Sequence, residues 1–132
     1  MYAIDIGLAN AVGFKFSSKL GKIAENIVAI ELKRKEAMDQ TIQIYYWKND
    51  QQEEVDFVIM CNTKVEQLIQ VCWNIDQYKT KEREVRALLK ASEELKCENV
   101  IIITENDEKT EEIHAKKIEY VPLWKWLLTN TL

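Results

Sequence analysis

The chain has 132 residues, 47% hydrophobic and 30% charged, with a formal net charge of -4 and a sequence pI near 5.1. That length is enough for one domain with its own core, and we read residues 1–132 as that single domain. The acidity excludes the coating of DNA by bulk attraction, so any nucleic-acid contact needs a local basic patch.

Cys61, Cys72 and Cys97 stand far apart, with no CxxC pair and no Cys/His cluster. This argues against a zinc site or a disulfide framework and fits a reducing, cytoplasmic setting. No apolar run reaches membrane-spanning length, and a membrane partner is not expected. The chain opens in mid-pattern, Tyr2-Ala3-Ile4-Asp5-Ile6-Gly7-Leu8, and reads as a piece cut from a longer protein.

In chain order, Asp5 is placed to cap a brief helical segment ending near Gly13. Ser17 or Ser18 then caps a long helix to about Lys35. Its apolar face is Leu20, Ile23, Ala24, Ile27, Val28 and Leu32. Glu31 falls on that face by spacing and Glu25 lies at its edge. Lys33, Arg34 and Lys35 form a basic end that suits the helix dipole.

Thr41 to Lys48 alternates as a first strand, and Asn49 to Gln52 turns the chain. The runs Glu54–Met60 and Glu66–Trp73, separated by Cys61 to Lys64, predict two antiparallel strands. Asp56 stands inside the first of these, and period two puts Gln70 and Cys72 on one face of the second. A carboxylate inside an apolar strand needs donors, a cation or a metal.

Asp76 or Thr80 starts a second helix to about Lys96, with an apolar stripe of Val85, Leu88, Leu89 and Leu95. Its cations Lys79, Lys81, Arg83, Arg86 and Lys90 alternate with Glu82, Glu84, Glu93 and Glu94, which reads as a solvated mixed-charge face. Val100 to Thr104 is a β-branched run expected as a central parallel strand. Glu105 to Lys117 reads as charged loop with a helical turn, including the sole histidine, His114, as a solvated residue. Ile118 to Val121 is a short last strand. Pro122 opens a C-terminal helix carrying Trp124 and Trp126, whose rings suit a core or an interface. The fold class is α/β: helix, three-stranded meander, helix, strand, strand, C-terminal helix, with a mixed sheet flanked by helices.

This order resembles the core of the PD-(D/E)XK nuclease superfamily, a restriction-endonuclease-like or Holliday-junction-resolvase-like fold. More closely, the chain resembles a domain of unknown function carried at the C-terminus of prokaryotic, archaeal-type AAA ATPases. The pieces that carry the resemblance are Asp5-Ile6-Gly7-Leu8, Gly21 to Val28, Tyr45-Tyr46-Trp47, Glu54-Val55-Asp56-Phe57, Leu68 to Cys72 and Pro122 to Leu128.

The resemblance implies that Glu25 matches the helix glutamate and Asp56 the hairpin aspartate, which in active members hold a divalent cation such as Mg. The Glu-x-Lys motif falls on Gln70-Val71-Cys72. There a neutral amide replaces the acid, and a thiol replaces the catalytic ammonium. The expectation is a nuclease-fold accessory domain that does not cut, with Glu25, Asp56, Gln70 and Cys72 as a degenerate site. Mg would matter only to a divergent active enzyme, a separate alternative that a lysine relocated from the second helix would require.

No G-x-x-x-x-G-K-[ST] motif is present, so ATP would bind only elsewhere in a parent chain. The expected partners are an upstream ATPase domain in cis, DNA or protein, and a second copy of the chain, with Trp124 and Trp126 as interface anchors. A purely structural oligomerisation module is the further alternative.

Overall fold

The computed structural model describes residues 2–3, 19–74 and 78–130. Its elements are β1 (Tyr2–Ala3), α1 (Lys19–Met38), β2 (Ile42–Lys48), β3 (Glu54–Cys61), β4 (Lys64–Val71), α2 (Tyr78–Leu95), β5 (Val100–Thr104), β6 (Lys109–Ile113), β7 (Lys116–Pro122) and α3 (Leu123–Asn130). The strands form one mixed sheet in the order β1-β2-β3-β4-β5-β7-β6. β2, β3 and β4 are an antiparallel meander, β4 pairs in parallel with β5, and β5 in parallel with β7. The α/β class, the meander and the parallel addition are as the residue pattern predicts.

Two cores line the two faces of the sheet. On one, α2 covers Val55, Val58, Leu68, Cys72, Ile102 and Tyr120. On the other, α1 and α3 cover Phe57, Ile69, Val71, Ile101 and Ile103. Every residue of β5 is buried, as a strand covered on both faces requires.

Several expectations need correction. α1 does not bury Leu20 or Ile23, which are exposed. It buries Gly21, Ala24, Glu25, Val28, Ala29, Glu31 and Leu32. The small side chains at 21, 24 and 29 let the helix lie close to the sheet, and this outweighs the larger Leu and Ile one position away. The charged stretch after β5 is not loop with a helical turn. It supplies β6, an edge strand antiparallel to β7. Pro122 closes β7, paired with Thr104, and α3 begins one residue later. The brief helix expected before Gly13, the caps at Ser17 or Ser18, and Asp76 lie outside the described residues.

A bulge shapes the centre of the sheet. Tyr45 pairs with Val58 and Trp47 with Val55, so an extra residue of β3 stands between the two pairs. Val55 and Val58 therefore share the α2 face although they are three apart. Asp56 sits in this bulge.

Candidate functional site

Asp56 and Gln70 meet where β3 and β4 would continue their ladder. The backbone N–H of Asp56 donates to Gln70 Oε1 at 2.8 Å. The backbone N–H of Val71 donates to Asp56 Oδ2 at 2.8 Å. Gln70 Nε2 donates to the Glu54 carbonyl at 2.7 Å and to the Glu84 carbonyl of α2 at 3.4 Å. Gln70 is fully buried. Side chains thus take over main-chain hydrogen bonds at the bulge, as buried backbone groups require.

The four residues of the expected site are only partly brought together. Gln70 and Cys72 both face α2, since Gln70 reaches the Glu84 carbonyl and Cys72 belongs to the core on that side. Asp56 joins Gln70 through the backbone. Glu25 is buried on α1, which packs on the opposite face of the sheet. Glu25 is therefore not beside Gln70 and Cys72, where the resemblance had placed it. The reason is that α1 covers the face bearing Ile69 and Val71, and alternation turns Gln70 and Cys72 to the other.

This donor set does not fit a magnesium cage. A hard divalent cation takes oxygens at near-octahedral geometry. Here Gln70 Oε1 is engaged by a main-chain N–H, one oxygen of Asp56 by another, and Cys72 is a poor ligand for such an ion. Among the described residues, no group of three or more His, Cys, Asp or Glu side chains is placed to hold a metal.

Three of the cations of α2, Lys81, Arg86 and Lys90, are engaged in ion pairs. Arg86 Nε lies 2.8 Å from Glu53 Oε2, and Lys90 Nζ lies 2.7 Å from Glu53 Oε1. Asn49 Nδ2 donates to the same carboxylate at 2.8 Å. Glu53 is 7% exposed. Burial alone would raise its pKa, but the hydrogen bonds from Asn49, Lys90 and Arg86 together outweigh it and hold the pKa at about 2. Farther along the same helix, Trp47 Nε1 donates to Glu94.

At the other end of α2, Lys81 Nζ lies 3.5 Å from Glu111 Oε2 of β6. The Tyr120 hydroxyl donates to Glu111 Oε1 at 2.7 Å. The ammoniums of Lys81 and Lys109 stand 5.4 and 5.0 Å from the Tyr120 ring centroid. Burial, then the hydrogen bond to Glu111, push the Tyr120 hydroxyl well above its usual pKa. The Tyr120 hydrogen bond holds Glu111 below the usual carboxylate range despite some burial. The lysine offered by α2 thus serves an ion pair with β6.

Glu53 and Glu111 were missed as organising residues. The cations they pair with lie far off in sequence, Arg86 and Lys90 at 33 and 37 residues from Glu53 and Lys81 at 30 from Glu111, so no short-range spacing announces the ion pairs. Of the two expected anchors, Trp124 is 55% exposed, while Trp126 is 4% exposed and part of the α1/α3 core. Trp126 thus takes the core place that its ring was also expected to suit, and Trp124 is the one whose ring is open to contact. His114 is exposed, as expected, and no helix among the described residues is long and apolar enough to cross a membrane.

No solved structure matches the chain. A relative from Methanocaldococcus jannaschii, Uncharacterized protein MJ1544, is 42% identical over 135 residues, covering 98% of this chain and 29% of that protein. The chain thus spans under a third of the length of that relative. A family model described as Domain of unknown function (DUF4143) matches residues 20–126, a range that holds Glu25, Asp56, Gln70, Cys72, Trp124 and Trp126. The chain belongs to the DUF4143 family.

Proposed function

We propose that this domain is a nuclease-like accessory unit that binds rather than cuts, serving an AAA-type ATPase parent chain. One observation carries the reading. Where the PD-(D/E)XK resemblance calls for a metal-binding acid, the chain has a fully buried Gln70 whose amide holds the backbones of β3 and α2. Where the resemblance calls for a lysine, it has Cys72 inside the α2-side core. Asp56 survives, but its carboxylate supports the Val71 N–H. Losing one positioned stabilising group alone costs on the order of a hundredfold to a thousandfold in rate. Here the anionic ligand and the cationic group are both gone.

Protein contact is the favoured form of binding, because the large apolar side chains exposed among the described residues lie on α1 and α3. ATP turnover, DNA contact and the cytoplasmic setting belong to the same proposal, with ATP handled outside this chain.

The test is direct. The purified chain is incubated with supercoiled plasmid and with four-way-junction DNA in magnesium or manganese. No cleavage is expected. Cleavage that disappears in Asp56→Ala would overturn the reading in favour of a divergent active nuclease.

A further inference from the structure

The fold sorts apolar surface and charge onto one side. Leu20, Ile23, Ile30 and Met38 of α1, with Trp124 and Leu128 of α3, are the large hydrophobic side chains exposed among the described residues. Both helices pack on the same face of the sheet and on each other. On α1, positions 20, 23, 27 and 30 fall on one stripe at helical spacing. Leu20, Ile23 and Ile30 of that stripe are exposed, while Ile27 at its inner edge packs on the core beneath the helix.

The charges beside it have one sign. Every exposed charged side chain of α1 is a cation: Lys19, Lys22, Lys33 and Arg34. The acids of the same helix are turned away. Glu25 and Glu31 are buried, and Glu36 accepts the Ile44 N–H at 2.8 Å. α3 contains no acidic residue. A chain with a net charge of -4 thus leaves no exposed acid on α1 or α3 themselves, and the acids nearest them are Asp39, just past Met38, and Glu108, paired with Lys125 of α3.

We propose that this face docks an acidic amphipathic helix of a protein partner. The proposal rests on the reading of the domain as a binding unit and names the partner chemistry. An apolar stripe of this kind is satisfied by the apolar face of another helix laid along it. The flanking Lys19, Lys22 and Lys33 select carboxylates at its rim, chiefly as a matter of specificity and association rate. DNA supplies the negative charge but no apolar complement. A second copy packing α1 on α1 would set cations against cations. A lipid surface is the weaker match, because stable electrostatic attraction calls for clusters of about four to eight basic residues, and Arg34 of the four is already 2.6 Å from Glu31.

The experiment uses the 132-residue chain and two synthetic helical peptides with the same leucine stripe, one with glutamate and one with lysine at the remaining positions. Binding is read by fluorescence anisotropy. The glutamate peptide should bind roughly tenfold or more tightly than the lysine peptide, and Ile23→Glu or Ile30→Glu should weaken it by a similar factor. Equal binding of the two peptides, no binding, or binding indifferent to both substitutions would overturn the proposal.

Three controls assign the face to other occupants and would also overturn it. These are a concentration-dependent dimer abolished by Ile30→Glu in sedimentation, uptake by anionic phosphatidylglycerol vesicles without peptide binding, and a marked drop in melting temperature for the uncharged Ile30→Gln, which would mean that the chain's own residues cover the stripe. Absent peptide binding with no DNA cleavage sinks the docking proposal alone. Cleavage sensitive to Asp56→Ala sinks the functional reading.

Discussion

Gln70 of β4 and Asp56, in the bulge of β3, exchange support: the amide oxygen of Gln70 accepts the Asp56 N–H, and the Asp56 carboxylate accepts the Val71 N–H, both at 2.8 Å. Two of the three positions at which the nuclease resemblance expects acids, Glu25 being the third, are thus joined through main chain. Placing an acid at Gln70, as the nuclease resemblance would have it, should therefore damage the fold before it helps any chemistry. In Gln70→Glu, an ionised carboxylate would lose the donor that serves the carbonyls of Glu54 and Glu84 and would carry charge into a fully buried place. The expected loss is about 2–4 kcal/mol at pH 7. Burial raises the pKa of such an acid, so the loss should shrink as the pH falls and the carboxyl becomes a donor again. Urea melts at pH 5 and pH 7 measure this, and unchanged stability at pH 7 would contradict it.

The double substitution Gln70→Glu with Cys72→Lys extends that logic. It rebuilds the motif in sequence but leaves Glu25 on the opposite face of the sheet. No metal-dependent cleavage of plasmid is expected from the folded variant. Robust cleavage would show that the geometry around these residues supports a nuclease centre once the two side chains are supplied.

Much of the fold is legible in the residues, and the failures have local causes. Val100 to Thr104 announces a doubly covered strand because every residue in it is β-branched. Strand β6 does not announce itself. Lys109-Thr110-Glu111-Glu112-Ile113 has the charge of a loop, and its turn to β7 is made by His114 and Ala115 at φ 52° and 65°, without the Asn-Gly or Asp-Gly signal of such hairpins. Asp56 was legible as a residue needing partners. Its actual partners were hidden because one extra residue in β3 breaks the period of two. Trp124 and Trp126 look alike in sequence, and only the packing of α3 distinguishes them.

Glu53 should make stability depend on acid. Its carboxyl sits at about pKa 2 in the folded chain, below an ordinary unfolded glutamate near 4.3. A depressed folded pKa contributes stability that is complete above the unfolded value and is lost as the pH falls through the interval down to about 2. Its cationic partners Arg86 and Lys90 are about half exposed, so solvent screening reduces the effect to roughly 1–3 kcal/mol. Denaturation of the native chain and of Glu53→Gln between pH 7 and pH 2 should show curves that converge at low pH. A constant gap would assign the loss to shape rather than charge.

The two tryptophans of α3 should separate cleanly. Trp126, at 4% exposure, belongs to the core with Leu123, Val28 and Ile103. Trp126→Ala should cost about 3–5 kcal/mol through lost transfer energy and the cavity left behind. Trp124→Ala removes a side chain that is 55% exposed and should change stability by no more than about 0.5 kcal/mol. Guanidinium melts of the two variants decide the matter. Comparable losses would mean that α3 is seated differently on the sheet.

The turn between β6 and β7 offers a gain in stability. Ala115 adopts φ 65° and is exposed, a left-handed conformation that costs an L-residue with a Cβ about 1–2 kcal/mol. Glycine takes this conformation without that penalty, although it adds freedom to the unfolded chain worth roughly 0.4–1 kcal/mol in the opposite sense. The first effect is the larger, so Ala115→Gly should stabilise the chain by about 0.5 kcal/mol. Ala115→Val, with a branched side chain at the same φ, should destabilise it by more than that. Measuring the midpoints of both variants under one set of conditions tests the sign as well as the size. If glycine fails to raise the midpoint while valine lowers it, the unfolded-chain effect is the greater. If neither substitution matters, the turn is not held at positive φ in solution.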